Sequence, residues 1–295
     1  MNRLIIVVVF AAAILGTVFI HGTAAAEAAA QQVPERAAEL ANAEREFAAA
    51  GARDGVQKSF LAHFADDSVV LRPFATPALA WYRAHPDKPG KLIWGPQYVA
   101  VSADANLGLS SGPWRYEGER DGKPVTGHGH FFSIWRRAES GRWQVVIDHG
   151  IGHDAATVTV EETPLVALTI PAGKAPAAAN AKAREQALAD ADDALRGRLA
   201  KIGDGAYAQV ASEQTLWLRD GSMPARGVAP PATEAGKRAC GCGARVKIGI
   251  AGSGDLGYTI GGREDARPQG TDIRVWSYAE RGGWKLVADV ASAVD

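Results

Sequence analysis

Of the seven histidines in this 295-residue chain, all but His21 fall between residues 63 and 153: His63, His85, His128, His130, His149 and His153. Histidine titrates close to working pH, so an imidazole held by a carboxylate is a natural general base. Asp148 supplies a carboxylate. The loop Glu139-Ser140-Gly141 fits a three-residue hairpin with Gly in the left-handed position, which sets Ala138 opposite Arg142. Carried back along the strands, that register places Phe132 opposite Asp148 and Phe131 opposite His149. Alternation then groups His128, His130, Phe132 and Ile134 with Val146 and Asp148, while Phe131, Trp135, Trp143, Val145, Ile147 and His149 share the other face. His130 and Asp148 become diagonal neighbours, close enough for long side chains to meet. They form the candidate catalytic pair.

Two other readings of the same residues stand beside this one. His128-x-His130 with Asp148 is an incomplete zinc ligand set, and His149 points away from it in this register, so no metal is expected. Asp289 repeats Asp148 in a region without histidines, which suits a shared structural role such as satisfying backbone groups where a strand ends. His63 shares a helical face with Phe60 and Phe64 and points inward. With Trp81, Tyr82, Trp94 and His128, it completes a set of candidate ligand contacts of the kind that lines small apolar pockets.

These residues sit in a duplicated framework. Trp135 and Trp143 flank a Gly-containing turn and lead into Val145, Val146 and Asp148; Trp276 and Trp284 do the same and lead into Leu286, Val287 and Asp289. Leu107-Gly108 answers Leu256-Gly257, and Asp54-Gly55 answers Asp204-Gly205. Four matches in one order define an internal repeat. The first copy opens with helices carrying Ala37, Leu40 and Phe47, then Val56, Phe60 and Phe64; Thr76-Pro77 starts a third through Ala84. Strands follow at 92–94, 98–102, 107–119, 125–137 and 143–149. The second copy begins with Leu188, Ala191, Leu195 and Leu199 on one helical face, then strands at 215–218, 246–250, 258–260, 273–278 and 284–290. Helices first and antiparallel strands afterwards give an α+β class. Large apolar residues on both faces of each sheet predict that the copies pack sheet to sheet as an internal pseudo-dimer.

The remaining features bound function. A net charge of −1, with no basic stripe, gives nucleic acid no surface. Asn2-Arg3, the apolar run from Leu4 to Ile20 and the alanines at 24–26 and 28–30 read as a cleaved signal peptide over 1–30, hence a periplasmic or secreted protein. The alternative is an N-terminal membrane anchor. The divisions are then a first domain at 31–153, an Ala/Pro-rich linker at 154–183 and a second domain at 184–295. Cys240 and Cys242 can pair only in a very tight ring or with another chain. Gly252-Ser253-Gly254-Asp255-Leu256-Gly257 has dinucleotide-type glycine spacing but enters a strand rather than a helix, so no nucleotide cofactor is expected.

The run Asn106-Leu107-Gly108-Leu109 to Gly112-Pro113-Trp114, with Gly129-His130-Phe131 to Trp135 and Gly141-Arg142-Trp143 to Asp148, resembles the nuclear transport factor 2-like superfamily, SnoaL-type branch. The resemblance covers about 35–153 well and 184–291 less completely. It implies tandem cone-shaped units, each of about three helices on a curved antiparallel sheet around an apolar pocket. It also implies roles ranging from isomerases, cyclases and dehydratases to non-catalytic binding or interaction modules. Fold alone does not choose among them. A small-molecule binding or accessory role in the first domain is favoured, with an isomerase, cyclase or dehydratase using His130 and Asp148, or a non-catalytic protein-interaction module, as the alternatives.

Overall fold

The computed structural model describes residues 22–87, 89–154, 159–160, 163–170, 180–231, 243–262, 270–280 and 282–293. The apolar N-terminal run, Cys240 and Cys242 lie outside the described residues.

Helix α1 (Gly22–Asp54) buries Ala37, Leu40, Ala41, Glu44 and Phe47, a stripe at three- and four-residue spacing. Gly55, at φ 94°, ends it, a backbone region that only glycine enters freely. The chain then turns into α2 (Val56–His63), with Phe60 inward. The helical pattern seen in the sequence through Phe64 stops one residue earlier, because Phe64 opens strand β1 (Phe64–Leu71). β2 (Ala75–Pro77) folds back on β1. Thr76 is therefore extended, and α3 (Ala78–Ala84) starts after Pro77 without a side-chain cap.

Six more strands complete the first unit: β3 (Gly90–Trp94), β4 (Tyr98–Val101), β5 (Leu107–Arg120), β6 (Lys123–Arg137), β7 (Trp143–Gly152) and β8 (Val166–Ala167). Their sheet runs β2-β1-β7-β6-β5-β4-β8, with β3 also on β5. It is mixed rather than wholly antiparallel, since β1 pairs with β7 and β8 with β4 in parallel. β8 belongs to the segment after the first domain, laid as extended chain along the sheet edge.

The second unit repeats this plan. α4 (Ala181–Ile202) is capped by the Asn180 side chain, which accepts from Ala183 N at 3.1 Å. β9 (Leu216–Arg219), β10 (Ala225–Arg226), β11 (Arg245–Ile250), β12 (Leu256–Gly261), β13 (Gly270–Ala279) and β14 (Gly283–Ala293) run β10-β9-β14-β13-β12-β11. That is the order of β2-β1-β7-β6-β5-β4, again with one parallel pair, β9 on β14. A 3₁₀ segment, Gly203–Gln209, follows α4, and the stretch between β10 and β11 that answers α3 lies largely outside the described residues.

One detail of register decides the site. Arg137 pairs with Trp143, and Ala138 N donates to Arg142 O at 2.9 Å, as the hairpin loop requires. Next to Trp135, however, β7 carries an extra residue: Trp135 faces Val145, Ile134 faces Ile147, and Val146 is unpaired. A bulge of this kind moves everything beyond it to the opposite face. The second unit has the same bulge, with Trp276 facing Leu286, Val275 facing Ala288 and Val287 between.

The two sheets pack against each other. Leu109, Phe132, Ile134 and Val146 of the first share one buried cluster with Leu218, Tyr258, Ile260 and Val275 of the second. Their ends are tied reciprocally: Ser253 N donates to Asp104 at 2.8 Å and Ala103 N to Asp255 at 2.9 Å. Ala103 and Asp104 precede Leu107 by the same steps that Gly252 and Ser253 precede Leu256, so these bonds join matching corners of the two units.

Candidate functional site

Because of the bulge, Ser133 rather than Phe132 lies opposite Asp148, and Phe132 lies opposite His149. Asp148 therefore faces the helices with Phe131 and Trp135, whereas His130 faces the second sheet with Phe132 and Ile134. The expected His130–Asp148 pair does not form, and neither does the metal set that needs both. His130 Nδ1 instead lies 2.8 Å from His153 Nε2, with Gln97 Oε1 3.3 Å from its other nitrogen. Burial, and secondarily the neighbouring His153, push the His130 imidazole down to about 3. A base so weak is neutral at working pH and far from matched to proton abstraction.

The helix side of the first sheet holds a cavity of about 430 Å³. Phe47, Phe60, Leu92, Trp94 and Phe131 are among its apolar walls; Asp148, Arg72 and Tyr82 give it a polar end. Trp81, Tyr82 and Trp94, singled out from sequence, line it together. His63 does not: its Nδ1–H donates to Ser59 O at 2.8 Å, its ring packs on Phe47, and it borders a separate depression with Trp135 and Trp143. His128 shares the His130 face and also stands outside the cavity.

Glycines shape one wall. The Trp114 indole lies over Gly127, Gly129 and Gly150, and its Nε1 donates to Ile151 O at 3.2 Å. A Cβ on Gly129 would approach the indole to 2.6 Å and Ile151 O to 1.9 Å. Gly51 similarly leaves room for the Trp94 ring, whose Nε1 donates to Glu44 at 2.8 Å. Glu44 also accepts from Trp135 Nε1 at 3.0 Å and from the Ser110 hydroxyl. Burial raises its carboxyl to about 7 despite these donors, with the nearby Asp148 adding to the rise.

Asp148 is the carboxyl group that lines the cavity. Burial lifts its carboxyl to about 6, opposed by the Arg72 guanidinium and a 3.3 Å hydrogen bond from Ser133. Tyr82 stands near both, its phenol pushed up by burial and by Asp148. A carboxyl poised near 6 can accept a proton or hydrogen-bond a ligand in either state.

The same positions in the second unit are filled. Glu44, Ser110 and Trp135 correspond to Asp192, Thr259 and Trp276, joined by hydrogen bonds of 3.1 and 3.3 Å. Ser133 corresponds to Arg274, which is fully buried and pairs with Asp289 at 2.9 Å and Asp192 at 3.1 Å. Arg196 reaches Asp192 and Asp272, each at 2.7 Å. Arg219, the counterpart of Arg72, reaches Asp289 at 2.7 Å, and Tyr207 OH donates to Asp289 at 3.2 Å. Their cations hold Asp289 and Asp192 below the usual carboxylate range.

Several of these residues were missed in the sequence although it carried a signal for them. Glu44 falls between Leu40 and Phe47 on an apolar stripe, as Asp192 does between Leu188 and Leu195. Val69-Val70-Leu71-Arg72 answers Leu216-Trp217-Leu218-Arg219, a further repeat match that marks Arg72.

No family model and no curated protein matches this chain. Solved structures that do match include NTF2-like and ketosteroid isomerase-like proteins. An NTF2-like superfamily protein from Salmonella enterica serovar Typhimurium shares 13% identity at TM-score 0.35, covering 42% of this chain and 96% of its own. A ketosteroid isomerase-like protein from Erwinia carotovora atroseptica shares 16% at 0.32, covering 46% and 100%. An NTF2-like protein with a cystatin-like fold from Novosphingobium aromaticivorans shares 14% at 0.33, covering 48% and 95%.

Proposed function

We propose that this is an exported protein whose first unit binds a small, largely apolar molecule bearing one polar group, and whose second unit is its filled structural counterpart. The observation that carries the reading is the contrast at one position. Where the second unit has Arg274 locked onto Asp289, the first has Ser133, and its Asp148 borders a cavity walled by aromatic rings. Aromatic walls supply contact area, while a few polar groups at one end fix orientation.

Titrating 2-naphthol against tryptophan fluorescence tests this directly, because Trp81, Trp94 and Trp114 line the cavity. Saturable quenching is expected for the native protein, and Ser133→Arg, which imports the second unit's side chain, should abolish it while the fold survives. Unchanged quenching in Ser133→Arg would place the probe elsewhere.

A second reading, an isomerase, cyclase or dehydratase, rests on Asp148 as the proton acceptor, since His130 faces away from it. In that case a cavity-sized ketone incubated in D₂O would exchange its α-protons, and Asp148→Asn would slow exchange by about 100-fold or more. Exchange at the uncatalysed rate in the native protein would leave only binding.

A further inference from the structure

A second cavity, of about 500 Å³, lies between the units and is lined by Arg72, Trp81 and His149 from the first and Asp220, Thr271 and Ser292 from the second. Arg72, Trp81 and His149 also line the first unit's cavity, so these three residues border both spaces. The Arg72 guanidinium lies 5.2 Å over the Trp81 ring. His149 has its Nε2 2.8 Å from the Ser292 hydroxyl of the second unit, while its buried Nδ1 has no hydrogen-bond partner. A buried polar atom without a partner costs free energy unless something else engages it.

We propose that the ligand site continues past the first unit's cavity into the space between the units, where Arg72 and the Nδ1–H of His149 bind the carboxylate of an elongated apolar acid. This rests on the cavity reading above and extends it. A hydroxyl can donate to Nε2 or accept from it, and the proposed site requires the first case. With the Ser292 O–H donating to Nε2, the neutral ring carries its proton on Nδ1, the nitrogen left without a partner among the described residues. Arg72 supplies the matching cation, whose planar fork suits a carboxylate. Asp220, the acidic group of the same space, is engaged by Gly152 N at 3.3 Å. Asp148 lines the inner cavity and not the space between the units; the apolar body would lie against Phe47, Phe60 and Trp94. Ser292 is then a positioning residue that the second unit contributes to a site in the first, and neither unit alone would hold the whole ligand.

Three probes test this on the full chain: 2-naphthol, 4-(2-naphthyl)butanoate and 4-(2-naphthyl)butanamide. The butanoate should bind about tenfold more tightly than the amide, as a charge-assisted pair implies. Arg72→Gln should remove that preference. Ser292→Ala should weaken the butanoate by about fivefold or more while leaving 2-naphthol within about twofold, the scale expected for one directed hydrogen bond. It should also move the His149 ring-nitrogen NMR signals from the Nδ1–H tautomer toward a mixture, which a merely structural role for Ser292 would not do. Equal binding of acid and amide, an Nε2–H tautomer in the native protein, or an unaltered butanoate affinity in Ser292→Ala would each overturn the extension while 2-naphthol binding left the cavity reading standing. Failure of both naphthyl classes to bind the native protein would overturn both.

Discussion

Asp148 and Asp289 occupy equivalent strand positions, so replacing each by asparagine is a controlled comparison, and the two changes should act in opposite directions. Burial raises the Asp148 carboxyl from 3.8 to about 6, which corresponds to about 3 kcal/mol of preference for its neutral form. Above pH 6 the folded protein holds an ionised carboxylate that the unfolded chain would hold more comfortably in water. The sign follows: between pH 3.8 and 6 the folded state binds the extra proton, so stability falls as pH rises through that window. Asparagine is neutral throughout and its carbonyl still accepts from Ser133. Asp148→Asn should therefore stabilise by about 1–3 kcal/mol at pH 8 and by nothing measurable near pH 4. Asp289 is the reverse case. Arg219 and Arg274 hold it below the usual range, so its stabilising contribution is present above pH 3.8 and lost only as pH falls through its lower folded value. Asp289→Asn leaves two buried guanidinium groups short of a partner and should cost about 3–5 kcal/mol at pH 8. Urea denaturation of both variants at pH 8 and pH 4.5 measures the difference. Equal destabilisation at pH 8 would refute the electrostatic contrast between the units and return Asp148 to a shared structural role.

Three further outcomes follow from the same contacts. Arg274→Met should cost about 3–5 kcal/mol at pH 8 by removing one buried cation from Asp192, Asp272 and Asp289, which then rely on Arg196 and Arg219; because the carboxylates can then protonate, the loss should shrink below about pH 4 in a urea series. Trp135→Phe removes one of the donors on Glu44, so thermal denaturation should show a loss of about 1–3 kcal/mol, and the Glu44 carboxyl carbon should titrate above about 7 by NMR. Gly129→Ala drives a methyl into Ile151 O and the Trp114 ring, which should cost about 1–3 kcal/mol as overpacking and blue- or red-shift Trp114 emission; an unshifted spectrum with native stability would show that the wall is not built as described.

The internal repeat also explains how one sequence plan yields a filled and an open interior. Both units keep the acid on the first helix, the hydroxyl on the strand that follows the Leu-Gly pair, and the tryptophan before the hairpin. They differ at Ser133 against Arg274. In the first unit α3, between β2 and β3, brings Trp81 and Tyr82 to the cavity. The arginine and its aspartates are a self-consistent set, since a buried cation is tolerated where its partners are buried with it.

Sequence alone determined the α+β plan, the duplication and the main antiparallel strands of both copies, though not β1, β2, β8 or β10, and it singled out the aromatic residues Trp81, Tyr82 and Trp94. Those features depend on local spacing, which periodicity, turn chemistry and repeated tryptophans express directly. It also placed His128, His130, Phe132 and Ile134 correctly on one face, because alternation within a strand is a local property. What it did not determine was the relation of β6 to β7. A single unpaired residue, Val146, turns Asp148 toward the helices and His149 toward the second unit. No residue type at that point announces a bulge, since Val146 suits a regular strand as well as an irregular one. The bulge is selected by tertiary packing: it puts Val145 under the helices and both Val146 and Ile147 into the core between the sheets. That choice dissolved the histidine–carboxylate pair, left Asp148 at the floor of a cavity, and brought His149 to a serine 143 residues away.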